Sequence, residues 1–77
     1  VILNNNRYAA LQEFAPVFGF AKGEAVQGTD LPHLDFVSIA RGMGCDAVRV
    51  TEAAELPAAL ARALAARTPT LVEVLVA

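Results

Sequence analysis

One cysteine, one histidine and no tryptophan leave this chain of 77 residues few of the side chains that usually announce chemistry. A lone Cys45 excludes both an internal disulfide and a cysteine-based zinc site. A lone His33 excludes a histidine pair for acid-base work. Positive charge is also sparse: six Lys and Arg against eight Asp and Glu give a net charge of -2. The six are scattered, so the basic stripe of a nucleic-acid footprint is missing. No apolar run approaches the ~20 residues needed to span a bilayer, and the first residues have neither the basic start nor the long apolar stretch of a signal peptide. The expected compartment is therefore cytoplasmic, with no nucleic acid and no membrane among the partners. Val1 opens directly on what reads as a strand, with no initiator Met before it, and the chain is expected to be a piece of something longer.

What the chain does have is small aliphatic residues. Hydrophobic residues make up 56% and aromatics only 6%. A chain of this size buries only about 60% of its unfolded surface and is marginal by itself. The surplus apolar surface is expected to lie against something else.

"VILNNNRYAALQEF" opens with three apolar residues that stop at three asparagines. Asparagine is a poor strand residue and tolerates the left-handed turn region, so the stretch reads as a strand near 1-4 running into a tight turn that starts a helix. Val1 to Leu3 suit a strand buried on both faces of a parallel sheet. Leu11, Phe14, Ala15 and Phe18 recur at helical spacing and predict a helix near 8-18 with a buried face, kinked or stopped at Pro16. Residues 19-34, with three glycines and Pro32, read as loop. Asp35 is an N-cap for a short helix near 35-43, closed by Gly42 and Gly44. A strand follows near 46-50. Thr51 is the next N-cap candidate, for a helix near 52-67 striped by Leu56, Leu60, Ala63 and Leu64, with a separate turn expected before Pro57. "TLVEVLV" predicts a last strand near 70-76, buried on both faces. The fold class is α/β: a partial three-layer α/β/α domain on a short parallel sheet.

"NNNRYAAL", "LDFVSIARGMGCDAVRV", "AELPAALARALA" and "PTLVEVLVA" together resemble the C-terminal end of thiamine-diphosphate-dependent enzymes. The likeness covers essentially the whole chain and is greatest to the benzoylformate decarboxylases, with acetolactate synthases and pyruvate decarboxylases as relatives. The double asparagine after an apolar strand is the closing half of that family's cofactor motif, whose opening GDG is absent from these residues. A lone NN is weak. An NN followed at matching separations by D-F-x-x-I-A-x-x-x-G and P-x-L-V-E-V is strong.

The resemblance implies thiamine diphosphate and Mg2+ as cofactors. Magnesium wants oxygen ligands and shares them with phosphates. Carried over by position, Asn5 offers the metal its side-chain oxygen and Arg7 its main-chain carbonyl, while Tyr8 and Ala9 begin a helix whose N-terminus favours the diphosphate. Asn4 is expected to fix the turn, and Asn6 to adopt a conformation for which the family uses glycine. Ala9 replaces a second glycine of the family pattern. Leu11 and Phe14 fall where related decarboxylases line the substrate pocket, although an i, i+3 apolar pair is also what plain core looks like.

The implied function is part of a 2-keto acid decarboxylase: residues 1-77 as the C-terminal part of the diphosphate-binding domain, inactive alone and contributing no catalytic side chain. Its partners are then a small-molecule 2-keto acid, the remaining domains of the parent enzyme and further copies in a homo-oligomer. A carboligase of the acetolactate-synthase type, or a non-catalytic α/β interaction module, stands as the alternative. A GDG some tens of residues before Val1 would separate enzyme from module. Among the other residues, His33 reads as a solvated loop residue and Cys45 as a buried small hydrophobe. Glu73 is expected at the end or edge of the sheet.

Overall fold

The computed structural model describes residues 1-77. Two compact units divide them: residues 1-4 with 35-77, and residues 5-34. The first unit is built on three parallel strands, β1 (Ile2–Asn4), β2 (Asp46–Val50) and β3 (Thr70–Leu75), in the order β1-β3-β2. Two helices, α2 (Phe36–Gly42) and α3 (Leu56–Ala65), complete it.

Period-two alternation in β2 and β3 sorts side chains to opposite faces. Val48 pairs with Val72 and Val50 with Val74, so these four share one face. There Val50 and Val72 meet Ala59 of α3 in the buried core, with Leu56 and Ala63 packed against it. Each fully buried valine contributes roughly 1.5–3 kcal/mol. The small Ala59 lets the helix backbone approach the sheet. The other face carries Arg49 and Glu73, paired across the strands, and α2 packs there through its N-cap contact with Arg49. The α/β fold with a parallel sheet agrees with the sequence reading.

Asp35 caps α2, accepting a hydrogen bond from the Ser38 N–H at 3.0 Å. At the other end Gly44 takes φ 84°, which ends the helix and turns the chain toward β2. A 3-10 turn at Ala53–Glu55 precedes α3, and Pro57 occupies the first turn of that helix, so the separate opening is present. Thr51 is not the cap: Glu52 precedes the 3-10 turn and Glu55 precedes α3, because Pro57 imposes its own φ on the helix start.

The second unit holds α1 (Ala9–Phe14), continued by a 3-10 turn at Ala15–Phe18 that has Pro16 in its first positions. Here the expected buried face is corrected. Of the apolar stripe only Ala15 is buried, while Leu11 is 56% and Phe14 60% exposed. Two burial expectations for the strands change as well. Leu3 is 69% exposed, because side chains stand on the sheet faces and the α3 core forms on β2 and β3 without a residue of β1. Glu73, expected at an end or edge, lies in the central strand and is 1% exposed. Cys45 is half-buried just before β2, and His33 is exposed.

Candidate functional site

The chain leaves β1 at Asn4, and the next three residues form the turn. Asn6 has φ 59°, the left-handed conformation that asparagine tolerates better than most residues. The Asn5 Oδ1 accepts a long hydrogen bond of 3.4 Å from the Arg7 N–H, an Asx-type closure of the turn. An antiparallel bridge between Arg7 and Asp30 then holds the segment. Its two bonds run from the Leu31 N–H to the Asn6 carbonyl at 2.6 Å and from the Tyr8 N–H to the Thr29 carbonyl at 2.8 Å.

That pattern decides where the Arg7 backbone points. In an antiparallel pair whose hydrogen bonds belong to the flanking residues, the central residue turns its own N–H and C=O away from the partner, both to the same side. The Arg7 N–H reaches the Asn5 Oδ1, so its carbonyl leaves on the side that carries that oxygen. In an ideal antiparallel pair that geometry would turn both neutral oxygens to one side. Such a pair suits part of the shell of a hard cation that also binds phosphate oxygens. No cluster of three His, Cys, Asp or Glu that could hold a metal is present.

Gln12 clasps this turn from α1. Its Nε2 donates at 3.0 Å to both the Thr29 Oγ1 and the Asp30 Oδ1, and its Oε1 accepts from the Arg7 Nη1 at 3.4 Å. Thr29 is buried and donates in turn to the Val26 carbonyl at 2.6 Å. Tyr8 and Ala9 stand at the start of α1, Tyr8 largely exposed and with its N–H committed to Thr29. Leu11 and Phe14 are one helical turn apart on α1 and open to solvent. A cleft of about 250 Å³ in the same unit is lined by Gln12, Ala15, Pro16, Val26 and Asp30 among others. Neither Asn5 nor Arg7 borders it.

The first unit holds a polar chain that the sequence did not suggest. Glu73 accepts from the Asn4 Nδ2 at 2.7 Å and from the Arg49 Nε at 2.7 Å, and Arg49 Nη2 donates to the Asp35 Oδ1 at 3.2 Å. A buried carboxylate is costly unless both oxygens are paired, and here they are. The bond to Glu73 raises the Arg49 pKa above its ordinary value, helped by the charges of Glu73 and Asp35. The Ser38 hydroxyl and the Ser38 N–H, with a lesser contribution from Arg49, hold the Asp35 carboxyl below its ordinary value against the opposing effect of burial. The one available signal was the single charge inside "TLVEVLV".

Residues 1–74 match the family described as thiamine pyrophosphate enzyme, C-terminal TPP binding domain. A benzoylformate decarboxylase of Pseudomonas aeruginosa is 45% identical over 74 residues, which is 96% of this chain and 13% of that protein. A solved structure, the thiamine diphosphate-dependent 4-hydroxybenzoylformate decarboxylase of Rhodococcus jostii RHA1, superposes with a TM-score of 0.80 at 42% identity. It is matched over 94% of this chain and 13% of its own. The chain therefore spans about an eighth of the length of either relative, or 13%. With matches running along nearly all of its residues, through the asparagine turn and the central strand alike, the chain belongs to the thiamine pyrophosphate enzyme family, in its C-terminal TPP binding domain.

Proposed function

We propose that the full-length protein carrying these residues is a thiamine-diphosphate-dependent decarboxylase of 2-keto acids of the benzoylformate type, and that this chain supplies part of its metal and diphosphate site. The observation that carries the reading is the asparagine turn at the end of a parallel strand, closed by the Arg7 N–H on the Asn5 Oδ1 and held by the Arg7–Asp30 bridge, in a chain similar to two such decarboxylases. Asn5 holds Mg2+ through its amide oxygen and Arg7 through its main chain. The first turn of α1, at Tyr8 and Ala9, faces the diphosphate. When bound, thiamine diphosphate supplies the nucleophilic carbon and the electron sink for loss of carbon dioxide.

Leu11 and Phe14 belong to the wall of the substrate pocket, since no core of this chain buries them and an aryl keto acid needs apolar surface. Proton transfers fall to residues of the remaining domains, and the assembly is a homo-oligomer in the cytoplasm. No helix here is long and apolar enough to cross a membrane, and a single cysteine fits a reducing compartment.

Calorimetric titration of Mg2+ and thiamine diphosphate into the full-length protein tests the site. Asn5→Ala is expected to weaken binding by about 100-fold or more, the upper range for disturbed metal sites, and Asn4→Ala and Asn6→Ala by far less. Equal losses in all three would reduce the run to turn chemistry. Turnover of benzoylformate tests the reaction, and acetolactate formed from pyruvate in its place would make the protein a carboligase.

A further inference from the structure

Glu73 is the one charged residue of the central strand, and its two carboxylate oxygens have different partners. Oε2 answers Arg49, which is a charge-balancing contact. Oε1 accepts from the Nδ2 of Asn4, the last residue of β1 and the immediate chain neighbour of Asn5. An ionised carboxylate only accepts, so it compels the Asn4 amide to turn its Nδ2, and not its Oδ1, toward the sheet. The Asn4 backbone is held as well, its carbonyl accepting from the Val76 N–H at 2.9 Å. The side chain of Asn4 is thus tied to the interior of β3 and its main chain to the residue just past the end of that strand. The chain is pinned one residue before the turn that presents Asn5 and Arg7.

We propose that Glu73 is a positioning residue for the cofactor-binding turn, acting through its buried hydrogen bond to Asn4. The proposal rests on the metal and diphosphate reading given above. A side chain that merely filled the middle of the sheet would need no charge, and hydrophobic neighbours surround it in sequence on both sides. A glutamine at 73 has one acceptor oxygen for two donors. The Arg49 guanidinium can only donate and claims that oxygen, so the glutamine NH2 is set against the Asn4 Nδ2 and the present bond is lost, unless the Asn4 amide flips.

The test is made in the full-length protein with Glu73→Gln, Asn4→Ala, the double variant, and Val72→Ala as a control that loosens the same strand on its other face. Calorimetry reads the affinity for Mg2+ and thiamine diphosphate, and thermal unfolding of the cofactor-free protein reads stability. Glu73→Gln and Asn4→Ala are each expected to weaken cofactor binding about ten-fold, as removal of an orienting partner commonly does. The double variant is expected to lose no more than the worse single one, because both remove the same bond. Val72→Ala should lower the unfolding temperature and leave the affinity unchanged. Wild-type affinity in Glu73→Gln, additive losses in the double variant, or an equal loss in Val72→Ala would each overturn the proposal. Should Glu73→Gln fail to fold, Asn4→Ala decides by itself, since it leaves the Glu73–Arg49 pair intact: a ten-fold loss supports the proposal and wild-type affinity overturns it. A wild-type protein that binds neither ligand would sink this inference together with the function it rests on. Variants that match a wild type which does bind would sink this inference alone.

Discussion

Asn4, Asn5 and Asn6 show one residue type meeting three different demands, and Asn6 meets the conformational one. At φ 59° its Cβ is close to the following carbonyl oxygen, a conformation costing most L-residues roughly 1–2 kcal/mol. Asparagine bears that cost more easily because its short amide bonds locally, and glycine avoids it altogether. Asn6→Gly is therefore expected to leave stability within about 0.5 kcal/mol of wild type, the usual range for a harmless surface change. Asn6→Val, branched at Cβ, should lose about 1–2 kcal/mol. Denaturant unfolding of the full-length protein measures both, and an Asn6→Val protein as stable as wild type would mean that the turn relaxes to negative φ. Neighbouring Asn5 is under a different constraint, because its side chain closes the turn by accepting from Arg7. Three identical residues in a row thus do three things: Asn4 ties the strand end, Asn5 closes the turn on the Arg7 N–H and Asn6 bends the chain.

At the scale of elements, α2 is the most sharply delimited. Its cap carboxylate at Asp35 accepts from the Ser38 N–H at 3.0 Å, from the Ser38 hydroxyl at 2.7 Å and from Arg49 at 3.2 Å. These contacts lower its pKa from the ordinary 3.8, the Ser38 hydroxyl contributing most. A carboxyl whose pKa is depressed in the folded state contributes stability above its unfolded value, and that contribution is lost as pH falls through the folded value. The thermal midpoint of wild type should thus exceed that of Asp35→Ala by a constant margin from neutral pH down to about pH 4. Below that the margin should shrink. A margin that stayed constant into strong acid would show that the cap works without its charge. Helix α3 relies on no such cap. Pro57 in its first turn and the packing of Ala59 on Val50 and Val72 place it.

For the molecule as a whole, the order β1-β3-β2 leaves each outer strand with one unpaired edge. Large apolar side chains are also exposed, among them Leu3, Met43 and Leu64 in the first unit and Leu11, Phe14 and Phe18 in the second. Unpaired parallel edges and apolar patches of this kind drive association. A net charge of -2 opposes it weakly. The isolated polypeptide of residues 1-77 is accordingly expected to self-associate at micromolar concentration, which sedimentation velocity would show. A strictly monomeric species with well-dispersed amide signals would contradict this and would revive the reading of a self-sufficient module.

Local chemistry made much of this legible before any coordinates. The order of strands and helices, the Asp35 cap, the turn ahead of Pro57 and the left-handed Asn6 all depend on neighbours within a few residues. The asparagine turn reads as a candidate site because its three asparagines are contiguous and the segments that strengthen the family likeness follow at fixed separations within the same 77 residues. Other features waited on tertiary structure. Periodicity marks Leu11 and Phe14 as one face of a helix but says nothing about what covers that face. Likewise, "TLVEVLV" reads as a strand, yet only pairing shows it to be the central one, with Val1 to Leu3 at an edge. Glu73 departs from its expected end or edge position for the same reason. Its partners Asn4 and Arg49 lie 69 and 24 residues away in the chain, and a buried charge is tolerable only where such distant donors meet it. Sequence determined the elements and the turn, because those are short-range; the sheet order decided which carboxylate is buried and which asparagine it holds, because hydrogen bonds across strands join residues that no local pattern connects.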